Sequence, residues 1–221
     1  MNVLAIGAHP DDVEIGCGGT LAKYVKEGHS VSALVVTSGN AGSNSMGKSE
    51  LAEIRQNEAS SAAQVIGLSS IEFLELEDGL TAFTKNDKIE VINVIRKLKP
   101  QIIFTHSSSD HFPDHKLVYE LSMGAIRIAA GPWYQEAVGD PHKVEAIYGY
   151  EVWHPLNDWQ LSVDVTPFFE TKVRALQCHK SQLQDMDYVK AVRGLASYRA
   201  AMQGAGEYAE VFEVLRTPAL A

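Results

Sequence analysis

Residues 3–12 read Val3-Leu4-Ala5-Ile6-Gly7-Ala8-His9-Pro10-Asp11-Asp12. A short apolar run bounded by turn residues is the pattern of a strand buried on both faces. Val3 to Ala8 is therefore expected as a central strand of a parallel sheet. The end of that strand is unusual, because it carries a histidine, a proline and two carboxylates. A dinucleotide-binding strand would meet Gly-x-Gly-x-x-Gly at once. Here Gly16, Gly18 and Gly19 come too late and lack the third spaced glycine. Carboxylates at that turn would also repel a pyrophosphate. The opening argues against a nicotinamide-dependent oxidoreductase.

Working outward, Gly18-Gly19 are expected to lead into a short amphipathic helix, Thr20 to Glu27, closed by Gly28. Ser30 to Thr37 reads as a second buried strand, and Ser38 to Lys48, rich in Gly, Ser and Asn, as a long loop. Helical spacing covers Ser49 to Ile66, a short strand Ile71 to Leu74, and a further helix Asp87 to Leu98 before Pro100. Gln101 to Thr105 is a strand and His115 to Ala130 a helix. Later strands are expected at Ala146 to Val152 and Leu161 to Val165, then one or two helices between Pro167 and Met202. Strands alternating with helices imply βαβ units. The fold class is α/β: a Rossmann-like three-layer sandwich with a mostly parallel sheet, in one domain spanning residues 1–221. In such sheets ligands bind beyond the carboxyl ends of the strands. His9-Pro10-Asp11-Asp12, Ser38-Gly39-Asn40 and His106 to His115 all fall there. The loops Ser38 to Lys48 and Gly131 to Val144 are expected to shape the mouth of the site.

The chain has 221 residues and a formal net charge of −9. An acidic chain without a Lys/Arg cluster is a poor nucleic-acid binder. Cys17 and Cys178 belong to no CxxC pair and read as reduced thiols. No apolar run approaches the roughly 20 residues of a spanning helix, and no basic, apolar leader precedes Val3. The expectation is a cytoplasmic protein with no membrane span.

His9, Asp11, Asp12, Asp110, His111, Asp114 and His115 form two clusters, each just after a strand. Imidazole and carboxylate are the ligands of hydrolytic zinc sites, which need three protein ligands and an open position. His9 and Asp12 are three apart, so one turn can aim both at one point, and His115 can close the triangle. Either motif alone could instead be a helix start, with proline in the first turn and Asp capping backbone N–H groups. Several carboxylates at one edge repel each other unless a cation is present.

Ala8-His9-Pro10-Asp11-Asp12, with Gly16-Cys17-Gly18-Gly19-Thr20 behind it, and Asp110-His111-Phe112-Pro113-Asp114-His115 resemble the LmbE-like, or PIG-L-like, N-deacetylases. Weaker matches, in the family's order, are Thr37-Ser38-Gly39, Arg55-Gln56-Asn57-Glu58, Asp78-Gly79 and His179-Lys180-Ser181-Gln182. The resemblance implies His9, Asp12 and His115 as zinc ligands and Asp11 as general base. It implies Arg55 and Asp78 as residues facing the substrate. It also implies an N-acetylglucosamine-type conjugate as substrate, deacetylated by attack of a zinc-activated water. Asp-Asp-Val-Glu-Ile-Gly further looks like members that deacetylate a GlcNAc-malate conjugate. Relatives form trimers and hexamers as well as monomers. A His₂Asp site with an open face also suits iron(II) or another divalent ion.

The sequence departs from the family's His-Pro-Asp-His pattern at Phe112. Phenylalanine can neither stabilise an oxyanion nor protonate an amine. His111, His106, His154, or Asp11 acting twice, are the candidates to replace that function, and Asp114 is expected to orient a ligand or neighbouring histidine. Trp133, Tyr134, Trp153 and Trp159 can stack on a sugar ring, although core packing is the commoner use of such rings. Arg55 and Glu58, three apart, read structurally as an exposed ion pair, and Asp185 and Asp187 as a solvated face. His179 is a candidate for the rim of the site. Two rival readings share the same residues: a two-metal phosphoesterase, and a metal-binding protein that has lost catalysis at Phe112.

Overall fold

The computed structural model describes residues 1–217 except Leu80, Asp185 and Ala205. The elements run β1 (Asn2–Gly7), α1 (Asp12–Lys26), β2 (Ser30–Thr37), α2 (Lys48–Ile66), β3 (Ser70–Leu76), α3 (Lys85–Leu98), β4 (Ile102–His106), α4 (Pro113–Ala129), β5 (Ala146–Tyr150), β6 (Leu161–Asp164), α5 (Phe169–Leu176), α6 (Tyr188–Gln203) and β7 (Ala209–Arg216). Local chemistry sets several boundaries. Thr84 and Asp87 form a capping box at the start of α3. Gly67, at φ 89°, ends α2 in the left-handed region. Asp187 caps α6 through the Lys190 N–H; Asp185 lies outside the described residues.

Among the described residues the sheet has seven strands in the order β3-β2-β1-β4-β5-β7-β6. The first five are mutually parallel, and β7 runs antiparallel between β5 and β6. Alternation along β1 divides the core. Leu4 and Ile6 pack with Ile92 and Ile95 of α3 and Val118 and Leu121 of α4. Val3 and Ala5 pack on the other face with Val13, Cys17 and Leu21 of α1 and Ala62 and Ile66 of α2. That is the three-layer α/β sandwich, and the strand order reverses between β1 and β4, the switch point where such sheets bind ligands. Among the described residues, no helix is long and apolar enough to cross a membrane.

Three readings of the sequence are corrected. The first helix begins at Asp12, not near Thr20, and carries Gly16, Gly18 and Gly19 inside it. Glycine costs roughly 1 kcal/mol in a helix, but a Cβ on Gly16 would collide with the Tyr150 ring. The loop at 131–144 leaves the C-terminus of α4 and leads into β5, so it sits at the amino ends of the strands, away from the site. There the buried Arg96 binds the carbonyls of Gly131, Ala137 and Gly139. Finally, β7 completes the sheet from Ala209–Arg216, a segment not anticipated as a strand. Its buried Glu210 pairs with Lys172 at 2.6 Å, which lets a charged residue occupy an interior strand.

Candidate metal centre and cleft

Both clusters meet at the switch point. His9, Asp11 and Asp12 follow β1 and open α1; Asp110 to His115 follow β4 and open α4. The two helix starts use their backbones as caps but not their carboxylates. Asp11 is the N-cap of α1 without capping through its side chain. Phe112 is the N-cap of α4, with Pro113 in the first turn. The carboxylates turn to other partners. Asp12 Oδ2 accepts the His9 N–H at 2.6 Å, and Asp114 Oδ2 accepts the Gly79 N–H at 2.9 Å.

Three ligand-type groups converge. His9 Nδ1 lies 3.3 Å from Asp12 Oδ2, His115 Nε2 lies 3.3 Å from Asp12 Oδ1, and the two ring nitrogens lie 3.3 Å apart. A tetrahedral ion with bonds of about 2.0–2.1 Å places its ligand atoms about 3.3 Å from each other. The donor set therefore fits a zinc-like ion by its chemistry, with one atom from each residue within 4.8 Å of the others. All three residues are buried. Burial opposes charge on His115, yet the Asp12 and Asp110 carboxylates raise its pKa to about 9. His9 is likewise held well above the usual histidine range, against burial, by Asp12, Asp114 and Asp78. Burial alone would raise Asp12; His115, His9 and His106 hold it well below the usual carboxylate range.

Each ring is held from behind. His115 Nδ1 lies 2.8 Å from Asp110 Oδ2. His9 Nε2 lies 3.1 Å from Asp78 Oδ1 and 3.2 Å from Asp114 Oδ2. A carboxylate on the far nitrogen fixes the tautomer and the ring plane of a histidine ligand. Asp78 also accepts the Ala41 N–H at 3.1 Å, tying the 38–48 loop to the centre. Arg55, buried in α2, donates to Asp11 Oδ1 at 2.9 Å and to the Gly39 carbonyl at 3.0 Å. The expected Arg55–Glu58 pair does not form; Glu58 instead binds the backbone and hydroxyl of Ser181.

A cleft of about 340 Å³ opens above these groups, lined by His9, Asp11, Asp12, Arg55, Asp78 and Asp114 among others. Phe112, Trp153 and Tyr188 give it aromatic walls. Phe112 lies against both ligand rings, 5.7 Å from His9 and 4.9 Å from His115. His111 is exposed, its ring edge-on to His154 at 4.5 Å, and is not among the groups lining the cleft. His179 is fully buried beside Glu14 at 3.5 Å, not at the rim. The sequence suggests His106 only as a proton donor, and the structure gives it a different place. It is fully buried, takes the Ala8 N–H on Nε2 at 3.0 Å and stacks on His115 at 4.1 Å. Burial and His115 lower its pKa to about 4. It is a neutral strut under the metal centre, and its place at the end of β4 is the signal for it.

The sequence profile of the GlcNAc-PI de-N-acetylase family matches residues 4–126, which include every residue of the centre. A diacetylchitobiose deacetylase of Thermococcus kodakarensis is 32% identical over 192 residues, covering 83% of this chain and 70% of the relative. A 4-oxalmesaconate hydratase of Pseudomonas putida is 26% identical over 215 residues, covering 90% and 81%. The solved structure of the conserved protein TT1542 from Thermus thermophilus superposes with a TM-score of 0.86 at 29% identity, covering 99% of this chain and 96% of that one. With the two motifs meeting at one switch point, and with that profile running through both, the chain belongs to the GlcNAc-PI de-N-acetylase (PIG-L) family.

Proposed function

We propose that this chain is a metal-dependent N-deacetylase, a hydrolase that removes the acetyl group from an N-acetylglucosamine-type amino-sugar conjugate, and that its 221 residues act as one catalytic domain. The observation that carries this reading is the convergence of His9, Asp12 and His115 beside the Asp11–Arg55 pair, at the floor of an open cleft. The name of the diacetylchitobiose deacetylase relative supports the substrate class. Zinc suits this ligand set, and iron(II) or another divalent ion fits the same donors. Such an ion supplies a water acidified toward pKa 7 and a Lewis acid for the acetyl carbonyl.

The chain's own residues do the remainder. Asp11 is anchored through Oδ1 by Arg55, which leaves Oδ2 to take the proton of the attacking water. General-base help of this kind is worth about 10²–10⁴-fold. Asp110 and Asp114 hold the rings of His115 and His9 in their ligating planes. Asp78, half-buried at the edge of the cleft, and Arg55 are assigned to the substrate side. Phe112 packs against both histidines and has no proton to give. The leaving nitrogen therefore takes its proton back from Asp11; His111, exposed against His154 and outside the cleft lining, is given no part in that transfer.

One observation favours a second reading. The hydratase relative spans 90% of this chain, and a metal with a base could equally add water across a carbon–carbon double bond. The test is amine release from N-acetylglucosamine, N,N'-diacetylchitobiose and alkyl N-acetylglucosaminides, run beside hydration of 4-oxalmesaconate, with and without chelator. Chelator-sensitive amine release is expected. Hydration without amine release would replace the deacetylase reading with the second one.

A further inference from the structure

The strand ends that build the metal centre have a second, outward side. β4 lies between β1 and β5 and runs parallel to both. The segments leaving β1 and β4 supply His9, Asp12 and His115. The segments leaving β4 and β5 carry Asp110-His111 and Trp153-His154. The register pairs His106 with Tyr150 at the ends of these two strands, so the segments emerge side by side. Asp110 stands between the two groups of histidines.

The two oxygens of Asp110 face different ways. Oδ2 lies 2.8 Å from His115 Nδ1. Oδ1 accepts the Phe112 N–H at 2.9 Å and lies 3.9 Å from His154 Nδ1. A carboxylate oxygen has two lone pairs, so Oδ1 keeps one for a partner on the His154 side. The His111 ring stands edge-on to that of His154, with 4.5 Å between centroids. The His9 and His115 rings of the metal centre are 5.2 Å apart on the same measure. The Asp110 carboxylate is buried, whereas His111 and His154 are exposed. Among the described residues neither of these two rings makes a hydrogen bond.

We propose that Asp110, His111 and His154 form a second, outer site for a zinc-like divalent ion. Two imidazoles and a carboxylate are ligand types that zinc takes. Asp110 would hold His115 with one oxygen and the outer ion with the other. The buried carboxylate is fixed, and the exposed rings turn about their side-chain torsions to meet an ion in front of Oδ1. The outer site is the weaker of the two. The inner rings are buried and held by carboxylates, whereas His111 and His154 lose rotamer freedom when they bind. Protein freed of loosely held metal therefore carries the inner ion alone, and the outer one enters as free zinc rises. His111 adjoins Phe112 and His154 adjoins Trp153, and both aromatic residues line the cleft. An outer ion thus ties two walls of the cleft together, whichever reaction the cleft performs.

The test counts zinc bound to the full chain by equilibrium dialysis while a metal buffer raises free zinc in steps. Three proteins are compared: the unmodified chain, the double variant His111→Gln/His154→Gln, and His115→Ala. Circular dichroism confirms that each is folded; the double variant alters only exposed side chains. The unmodified chain should fill in a tight step of about one zinc and a weak step of about one more. The double variant should keep the tight step and lose the weak one, and His115→Ala should do the reverse. A weak step that persists in the double variant is adventitious binding elsewhere and overturns the outer site. Absence of a weak step from the unmodified chain overturns it as well. Loss of both steps from the folded double variant would place His111 and His154 in a single centre, which also overturns it. Should the tight step be missing from every protein while the weak one still depends on His111 and His154, the outer site stands and the inner metal centre is the reading that fails.

Discussion

Two buried polar regions of this molecule, one in each half of the sheet, are built on opposite rules. Around α5, α6 and β7 the buried charges of Lys172, Glu210, Glu151 and Arg199 are each matched. Lys172 Nζ meets Glu210 at 2.6 Å and the Ile15 carbonyl at 2.8 Å, and Glu210 gives its oxygens to two backbone N–H groups. Glu151 takes Arg199 and the Leu156 N–H. At the ends of β1 and β4, by contrast, like groups face each other. Two ring nitrogens stand 3.3 Å apart. Asp114 Oδ1 and His106 Nδ1 have no hydrogen-bond partner among the described residues. Buried polar groups are ordinarily satisfied, so an unsatisfied cluster at a switch point marks where the fold has been arranged for a ligand. A satisfied cluster marks where charge has been used to hold elements together.

The largest effect of substitution is expected at the catalytic end. Asp11→Asn should keep the bound metal and lose about 10²–10⁴-fold in turnover; near-normal turnover would remove Asp11 from the mechanism. Next is the matched region. Lys172→Ala strands a buried carboxylate and should cost about 3–5 kcal/mol of stability, read by denaturant unfolding, while the folded fraction keeps its metal. A loss of metal from folded Lys172→Ala would show that the two regions are not separable.

A smaller effect sharpens the contrast through pH. His115 is raised to about 9 by Asp12 and Asp110, against the pull of burial. Its pKa is higher folded than unfolded, so its contribution to metal-free stability is full below about 6.5. That contribution is lost as pH rises through about 9. Metal binding requires the same proton to leave, so affinity should rise over that window. Melting temperatures of metal-free and metal-loaded protein should therefore diverge between about pH 6.5 and about pH 9. Parallel curves would mean that His115 does not ligate.

The fold was legible where pattern is local. The buried run from Val3 and the β-branched run Ser30 to Thr37 announced their strands, and Pro100 and Gly67 announced helix ends. The centre was legible because its residues fall within a few positions of two strand ends, where topology alone brings them together. What escaped depended on partners remote in sequence. Gly16 sits in a helix because of Tyr150, and Glu210 in a strand because of Lys172. The roles of Asp110 and His106 depend on rings they meet only in three dimensions. The two long polar segments looked alike as sequence. The 38–48 loop reaches the cleft through Ala41 and Gly42, whereas Arg96 binds the 131–144 loop at the opposite edge.

The central claim is that His9, Asp12 and His115 hold the metal on which amide hydrolysis depends. Metal content by elemental analysis, paired with amine release from an N-acetylglucosaminide, tests it most directly in the unmodified chain and in His115→Ala. About one metal per chain and chelator-sensitive release are expected in the first, with both lost together in the second. Full release from metal-free protein, or unchanged metal in His115→Ala, would contradict it.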